Sequence, residues 1–205
     1  NNIAQTGSGR AAIYASDHQG NALSVMTDGY LYGSEDSWDG SGYRAEDYWG
    51  ISFDQYYIFN KVVFTSGYVF GDGGWFISDL RVKVRCNNIW TDVTGMVISP
   101  AYPNNNTAGS YTSYTFTFDA VTGDGIGIVG APGGSNYFTS IAELQAYYMN
   151  PASPTQTATR TVTQTATRTA TQTATPTSTA TLTPTMAPCS GISFVTSGGN
   201  ATPGG

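Results

Sequence analysis

The chain is poor in the residues that most metal, nucleic-acid and membrane chemistry requires. Among 205 residues there is one His and there are two Cys, Lys and Arg total 8, and charged residues make up only 11%. One His and two Cys exclude a His- or Cys-rich zinc site. Eight basic residues against 14 acidic ones, a net charge of −6, argue against nucleic-acid binding, which relies on Lys and Arg to displace phosphate counterions. No run of about 18 apolar residues is present, so nothing reads as a membrane span. No charged start followed by an apolar core marks a signal peptide, so an exported protein of this sequence would be a processed or partial chain. Enzyme signatures are also missing. His18 sits in the turn Asp17-His-Gln-Gly20 with no nucleophile motif nearby. Glu35 and Asp36 are adjacent in sequence, which does not suit a facing carboxylate pair. The expectation is a protein that is not an enzyme.

What the chain does have is divided sharply at Asn150-Pro151. Of 27 aromatic residues, 26 precede that point, as do all 14 acids. The expected organisation is a globular domain over 1–149, a Thr/Pro-rich extended stalk or linker over 150–188, and a short strand with a Gly-rich tail over 189–205. A body of about 150 residues is an ordinary single-domain size.

The stalk follows an eight-residue repeat used four times: TQTATRTV from 155, TQTATRTA from 163, TQTATPTS from 171 and TATLTPTM from 179. Thr stands at every odd position: Thr155, Thr157, Thr159, Thr161, Thr163, Thr165, Thr167, Thr169, Thr171, Thr173, Thr175, Thr177, Thr179, Thr181, Thr183 and Thr185. Strict alternation, β-branching and interspersed Pro favour extended chain over helix. The tract is either a flexible linker or a stiff stalk with O-linked sugars on those hydroxyls. Fully extended, it would reach roughly 100 Å. Beyond it, Ile192, Phe194 and Thr196 alternate with Ser193, Val195 and Ser197, a short strand with no partner in its own tail that could add to a sheet of this domain or of another copy. The C-terminal Asn200-Ala-Thr-Pro-Gly-Gly205 would also read naturally into the opening Asn-Asn-Ile-Ala-Gln, as if the chain were one module of a longer repeat.

The body reads as all-β. Strands are predicted near 11–16, 48–53, 58–66, 80–86, 90–93, 113–118, 125–129 and 141–148. Arg81-Val-Lys-Val-Arg85 and Tyr114-Thr-Phe-Thr-Phe118 each have one dry face and one wet face. Dense Gly, Asn, Asp and Pro clusters at 71–74, 104–106, 122–125 and 132–134 mark turns. Short strands at this spacing, without a long helical period, indicate a β-sandwich.

Several segments in order resemble a known family: Asp28-Gly29 ahead of Trp38, Tyr48-Trp-Gly-Ile-Ser-Phe53 followed by Asn60-Lys-Val-Val-Phe64, Gly74-Trp-Phe76 before the Val-rich strand, and Gly123-Asp-Gly-Ile126 before Ser140-Ile-Ala-Glu-Leu144. The sequence over 1–149 resembles the discoidin, or coagulation-factor C-type, domain and is similar to family 32 carbohydrate-binding modules. The resemblance implies a galactose-binding-like jelly-roll β-sandwich with ligand-taking loops at one rim, here carrying an extended Thr-rich C-terminal tail. It also implies a structural Ca2+ held by Asp28 and Glu143 with backbone carbonyls. Tyr30-Leu-Tyr-Gly33 interrupts the usual spacing, leaving Ser34 or Asp36 as the third side-chain ligand. Independently, Asp28, Glu35, Asp36, Asp39, Glu46 and Asp47 crowd into 20 residues with Arg44 the only base among them, a donor set suited to a hard cation or to a solvated acidic loop.

Exposed aromatics stack on sugar faces, so the loop residues Tyr68, Trp75, Tyr102 and Tyr137 are the candidate ligand-binding side chains, although the same aromatics would serve a subunit interface. Trp38, Trp49 and Trp90 are expected in the core. Asn105-Asn-Thr107 and Asn200-Ala-Thr202 match the N-glycosylation pattern. Cys86 and Cys189 are free thiols or, in an oxidising compartment, a disulfide within the chain or between copies. The leading expectation is an extracellular or cell-surface structural or adhesive subunit that assembles with other copies of itself into a glycosylated filament or array. The alternative is a carbohydrate-binding module tethered by its linker to another domain.

Overall fold

A computed structural model describes residues 2–4 and 23–149, and the backbone of residues 10–15. The parts expected over 150–188 and 189–205 lie outside the described residues.

The strands are β1 (Arg10–Ala15), β2 (Glu35–Asp36), β3 (Asp47–Ser66), β4 (Phe76–Cys86), β5 (Ile89–Asp92), β6 (Val97–Ser99), β7 (Ser113–Pro132) and β8 (Ser140–Tyr148). Every named pairing is antiparallel. The only helical pieces among the described residues are 3-10 turns at Leu23–Thr27 and Asn106–Ala108. Long strands β3 and β7, of 20 residues each, organise the rest. Straight, each would span roughly 65 Å, far beyond a body whose radius of gyration should be about 15 Å. The β3–β7 ribbon therefore bends. Its register shifts between Ser52 and Tyr57, where β3 carries extra residues, and again between Phe59 and Lys61, where β7 does. Offset bulges of this kind let one ribbon pass from one layer of a sandwich to the other without losing its ladder.

Each half of the ribbon gathers its own neighbours. The first half of β3 pairs with β1 and with residues 125–130 of β7, and that part of β7 continues to β4 and β5. The second half of β3 pairs with residues 113–123 of β7 and with β8, while β6 adds to β7 and β2 to β8. Eight predicted strands thus became different ones in two places. The segments 48–53 and 58–66 are one bent strand, and so are 113–118 and 125–129. β2 and β6 were not anticipated.

The layers meet through one core. Trp49, Ile51 and Phe53 alternate inward before the bend; Phe59 follows, and the extra residue that β3 carries against β8 between Phe59 and Lys61 moves the inward set to Val62 and Phe64. From β7 come Tyr114, Phe116, Ile126 and Ile128, and from β8 Ile141, Leu144 and Ala146. At the bend, the Phe53, Tyr57 and Phe59 rings pack at 5.3–6.0 Å, with Tyr148 on Tyr57 at 5.3 Å. At the opposite end Phe64 lies 5.9 Å from Phe76, so both ends of the folded ribbon arrive at one rim. Ile128, fully buried, reports on this packing. Ile128→Val should cost about 1 kcal/mol in chemical denaturation with an unchanged denaturant slope.

Candidate carbohydrate-binding rim

Because the ribbon ends converge, the segments 37–46, 67–75, 100–112 and 133–139 converge too, and backbone hydrogen bonds lace them together. Ser37 N–H donates to Thr139 O at 3.0 Å, Gly67 N–H to Ser140 O at 3.1 Å, Gly74 N–H to Phe138 O at 2.8 Å and Gly133 N–H to Trp75 O at 2.8 Å. The Asn136 amide donates to Asp72 Oδ2 at 2.7 Å, and Val69 N–H donates to Ser110 Oγ at 2.9 Å. At Gly134, φ is +81° and a Cβ would stand 2.0 Å from Asp72 O, so only glycine admits this close crossing.

Beneath the rim lies a buried polar hub. Asp47, with a fully buried side chain, accepts from the Ser37 hydroxyl, from Thr139 N–H at 3.1 Å and from Thr139 Oγ1 at 2.6 Å, all on Oδ2. Its Oδ1 faces Arg44 Nη1 at 3.6 Å, and Arg44 Nη2 reaches Asp39 Oδ1 at 2.7 Å. Thr139 Oγ1 in turn accepts from the Trp49 indole N–H at 2.9 Å. Burial raises the Asp47 pKa above its ordinary value, against the lowering effect of these donors and of Arg44. The hub ties the 37–46 loop, the start of β3 and the approach to β8 into one unit.

On this frame the rim presents aromatic rings. Tyr68 is 48% exposed, and its ring packs edge-on to Phe70 at 4.8 Å, which leans on buried Phe138 at 5.5 Å. The Tyr68 carbonyl is held by Ser140 Oγ at 2.6 Å. Tyr137 is half-buried at φ +49° and meets the exposed Tyr43 at 5.2 Å. Tyr32, 68% exposed, bridges Tyr30 and Tyr111 at 6.0 and 5.7 Å. Rigidly held, partly exposed rings with hydroxyl and amide neighbours can stack on pyranose C–H faces while polar groups bond the hydroxyls.

Two of the expected ligand residues lie elsewhere. Trp75 and Tyr102 are buried at 7% exposure and belong to the core. The Tyr102 oxygen accepts from Phe76 N–H at 3.1 Å, and burial pushes its phenol pKa well up. Neither offers an open face. Tyr68 and Tyr137 stand at the rim, joined by Tyr43, Phe70 and Tyr111, which are not among the ligand residues expected from sequence. Tyr43 had the same signal as Trp75, an aromatic beside glycines; Gly40 and Gly42 both have positive φ. Trp38, expected in the core, is 41% exposed, whereas Trp49 is fully buried as expected and Trp90 is partly buried.

The proposed metal ligands lie along one stretch beside β8. Glu143 is fully buried, and its Oε2 accepts from Gly29 N–H at 3.1 Å, so the Asp-Gly loop and the last strand do meet. Asp28 Oδ1 accepts from Tyr30 N–H at 2.7 Å. Asp36, opposite Ser140 on β2, accepts from Trp38 N–H at 3.0 Å, and burial raises its pKa. Ser34 is half-buried, and its Cβ would stand 2.8 Å from a Cβ at Gly67. A second fully buried carboxylate, Glu35, one of the acids crowded into 28–47 but not among the four expected ligands, lies on β2 opposite Ile141 of β8. Among the described residues no three Asp, Glu, His or Cys side chains gather as a metal cluster. A hard cation here would rely on Glu143, the Asp28 loop and backbone or hydroxyl oxygens, a chemically suitable set.

Asn105 is exposed, with its Oδ1 accepting from both Thr107 N–H at 2.7 Å and Thr107 Oγ1 at 2.6 Å. Cys86 is buried and disulfide-bonded, not a free thiol. Cys189, Asn200 and the Thr series 155–185 lie outside the described residues.

No family model matches the chain, and no curated protein matches it. Solved structures do. A structure from the Streptococcus pneumoniae β-galactosidase BgaA aligns with a TM-score of 0.58 at 16% identity, over 73% of this chain and 99% of that one. The family 32 carbohydrate-binding module of C. perfringens NanJ, in complex with galactose, aligns with a TM-score of 0.53 at 23% identity, over 71% and 96%. A chitosan-binding module from a Paenibacillus chitosanase/glucanase aligns with a TM-score of 0.50 at 18% identity, over 72% and 98%. The body therefore has the discoidin-like β-sandwich fold of family 32 carbohydrate-binding modules.

Proposed function

We propose that this chain is a non-catalytic carbohydrate-binding module of the extracellular space or cell surface, joined by its Thr/Pro stalk to another domain. The observation that carries this reading is the rim: Tyr68, Tyr137, Tyr43 and Tyr32 are exposed or half-buried on loops cross-linked by hydrogen bonds. Pre-organised rings lose little entropy on binding, which is what a weak-contact ligand such as a sugar demands. Galactose in the NanJ module and chitosan in the Paenibacillus module name the ligand class to test. Screening the full chain against a glycan array and soluble polysaccharides should give sugar-dependent retention; silence across plant, animal and microbial glycans overturns the reading. The self-assembling filament rests on residues 150–205, outside the described residues. It is the second reading, and electron microscopy separates the two: dispersed particles favour the module.

Ca2+ would be held by Glu143 and Asp28, with Ser34 or Asp36 and backbone carbonyls completing the oxygen set. Such an ion supplies charge neutralisation for a buried carboxylate and pins the 28–36 stretch to β8. At 100-fold excess over its Kd, Ca2+ should add about 2.7 kcal/mol of stability. EDTA should remove that gain, and Glu143→Gln should not show it. A melting midpoint indifferent to both Ca2+ and EDTA contradicts the assignment. The stalk Thr hydroxyls and exposed Asn105 are the proposed glycosylation sites, which hexose increments in an intact-mass spectrum would reveal.

A further inference from the structure

We propose a second carbohydrate-binding surface, distinct from the rim, on the outer face of the β1-β3-β7-β4-β5 layer. A cleft of about 310 Å3 lies there, lined by Glu46, Tyr48, Gly50, Lys83, Trp90 and Gly127. The register explains its shape. Gly50 pairs with Gly127, and Gly127 with Lys83; Tyr48 pairs with Val129 one step away on the same face. Facing glycines on two central strands leave a floor with no side chains, where a sheet would ordinarily present a row of them. Trp90, on edge strand β5, reaches across this floor: its Cη2 would stand 3.4 Å from a Cβ at Gly50. Tyr48, 42% exposed, forms the opposing wall. β5 has no fully buried residue, so Trp90 lies on the outer surface and does not fill the core.

The chemistry selects a neutral polyol. Both charged groups of the lining are already balanced: Lys83 Nζ lies 3.7 Å from Asp92 Oδ1, and the Glu46 carboxylate pairs with Arg81. The cleft has no net charge to satisfy, so it has no call for an ionic ligand. Their remaining N–H donors and carboxylate lone pairs can still bond hydroxyls. Aromatic walls, a flat apolar floor and polar ends suit a pyranose ring, and the volume sits at the lower end of ligand pockets. The two surfaces together would let one module hold a glycan at two points, which strengthens attachment without new contacts at either.

The test is an NMR titration of the full chain with cellohexaose, xylohexaose and mannohexaose, following the four indole N–H signals, with Trp90→Phe used to assign Trp90. The expected result is a saturable shift of the Trp90 signal with at least one oligosaccharide. Tyr48→Ala should weaken that binding about tenfold, while Tyr68→Ala at the rim leaves it unchanged. A Trp90 signal that stays fixed across the panel overturns the proposal, whether the cleft is unused or filled by the chain's own C-terminal segment. A Trp90 shift abolished by Tyr68→Ala overturns it too, because the response would then originate at the rim. A wild-type chain that shows the Tyr48-dependent Trp90 shift but no response to any sugar at the rim would overturn the rim reading alone.

Discussion

Asp47→Ala is expected to destabilise the protein by about 3–5 kcal/mol, as removal of one partner from a buried charge network does. The substitution deserts four groups at once: the Ser37 hydroxyl, Thr139 N–H, the Thr139 hydroxyl and the Arg44 guanidinium. Arg44 keeps Asp39 at 2.7 Å, Thr139 N–H keeps Ser37 Oγ at 3.0 Å and the Ser37 hydroxyl keeps only a longer reach to Thr139 O at 3.3 Å. The Thr139 hydroxyl, however, loses its buried acceptor and Arg44 its buried counter-charge. Because the hub fastens the 37–46 loop to the approach to β8, the loss should also loosen Trp38 and Tyr43, and proteolysis should begin in that loop. Asp47→Asn separates charge from geometry. Burial raises the folded-state pKa of Asp47 above its unfolded value near 3.8. The folded protein therefore holds this proton more tightly than the unfolded chain does. The stabilisation linked to protonation is complete below the unfolded pKa and is lost as pH rises through the folded one. Wild type should thus lose stability relative to Asp47→Asn as pH climbs from about 4, and the difference should level off above the folded pKa. Denaturant midpoints of the two proteins across that range check it; a difference independent of pH would mean the burial cost is already cancelled by Arg44 and the three donors.

The second large effect falls on binding. Tyr68→Ala should weaken sugar affinity at the rim by about tenfold or more, with a melting temperature close to wild type. The separation is expected because the ring is half in solvent, while its backbone stays anchored by Ser140 Oγ and its neighbour Phe70 stays on Phe138. Calorimetric titration gives the affinity, and a thermal melt shows that the fold is intact. An unchanged affinity would remove Tyr68 from the binding surface. A collapsed melt would instead mean that the ring is a structural prop for the 67–75 loop.

The strands were legible where alternation was clean. Arg81-Val-Lys-Val-Arg85 and Tyr114-Thr-Phe-Thr-Phe118 keep one face dry and one wet, and both are strands with Val82, Val84, Tyr114, Phe116 and Phe118 buried. The bend was not legible. Thr122-Gly-Asp-Gly125 has the composition of a turn, yet the ladder with β3 resumes on both sides of it within one strand, because glycines let a ribbon bend while keeping most of its hydrogen bonds. The site was half legible for a related reason. Glycine-rich context identifies a loop but not the side on which the loop packs. Trp75 and Tyr68 stand in the same segment, yet one is buried beneath the 133–139 loop and the other faces out. Tyr102 reads as a loop aromatic between prolines, but its oxygen serves Phe76 N–H 26 positions away. The Asp47 hub joins residues 92 apart, and no local pattern announces such a partnership. From sequence alone, Asp47 reads as one more member of the acidic run 28–47.

The central claim is that folding the β3–β7 ribbon builds a rim that recognises carbohydrate. Chemical-shift mapping on the full chain, with galactose and chitooligosaccharide added in turn, tests it most directly. The account predicts saturable changes confined to the backbone amides of 67–75, 133–139 and 37–46, centred on Tyr68 and Tyr137. A spectrum unmoved by both sugars, or one whose changes leave those three loops untouched, would contradict it.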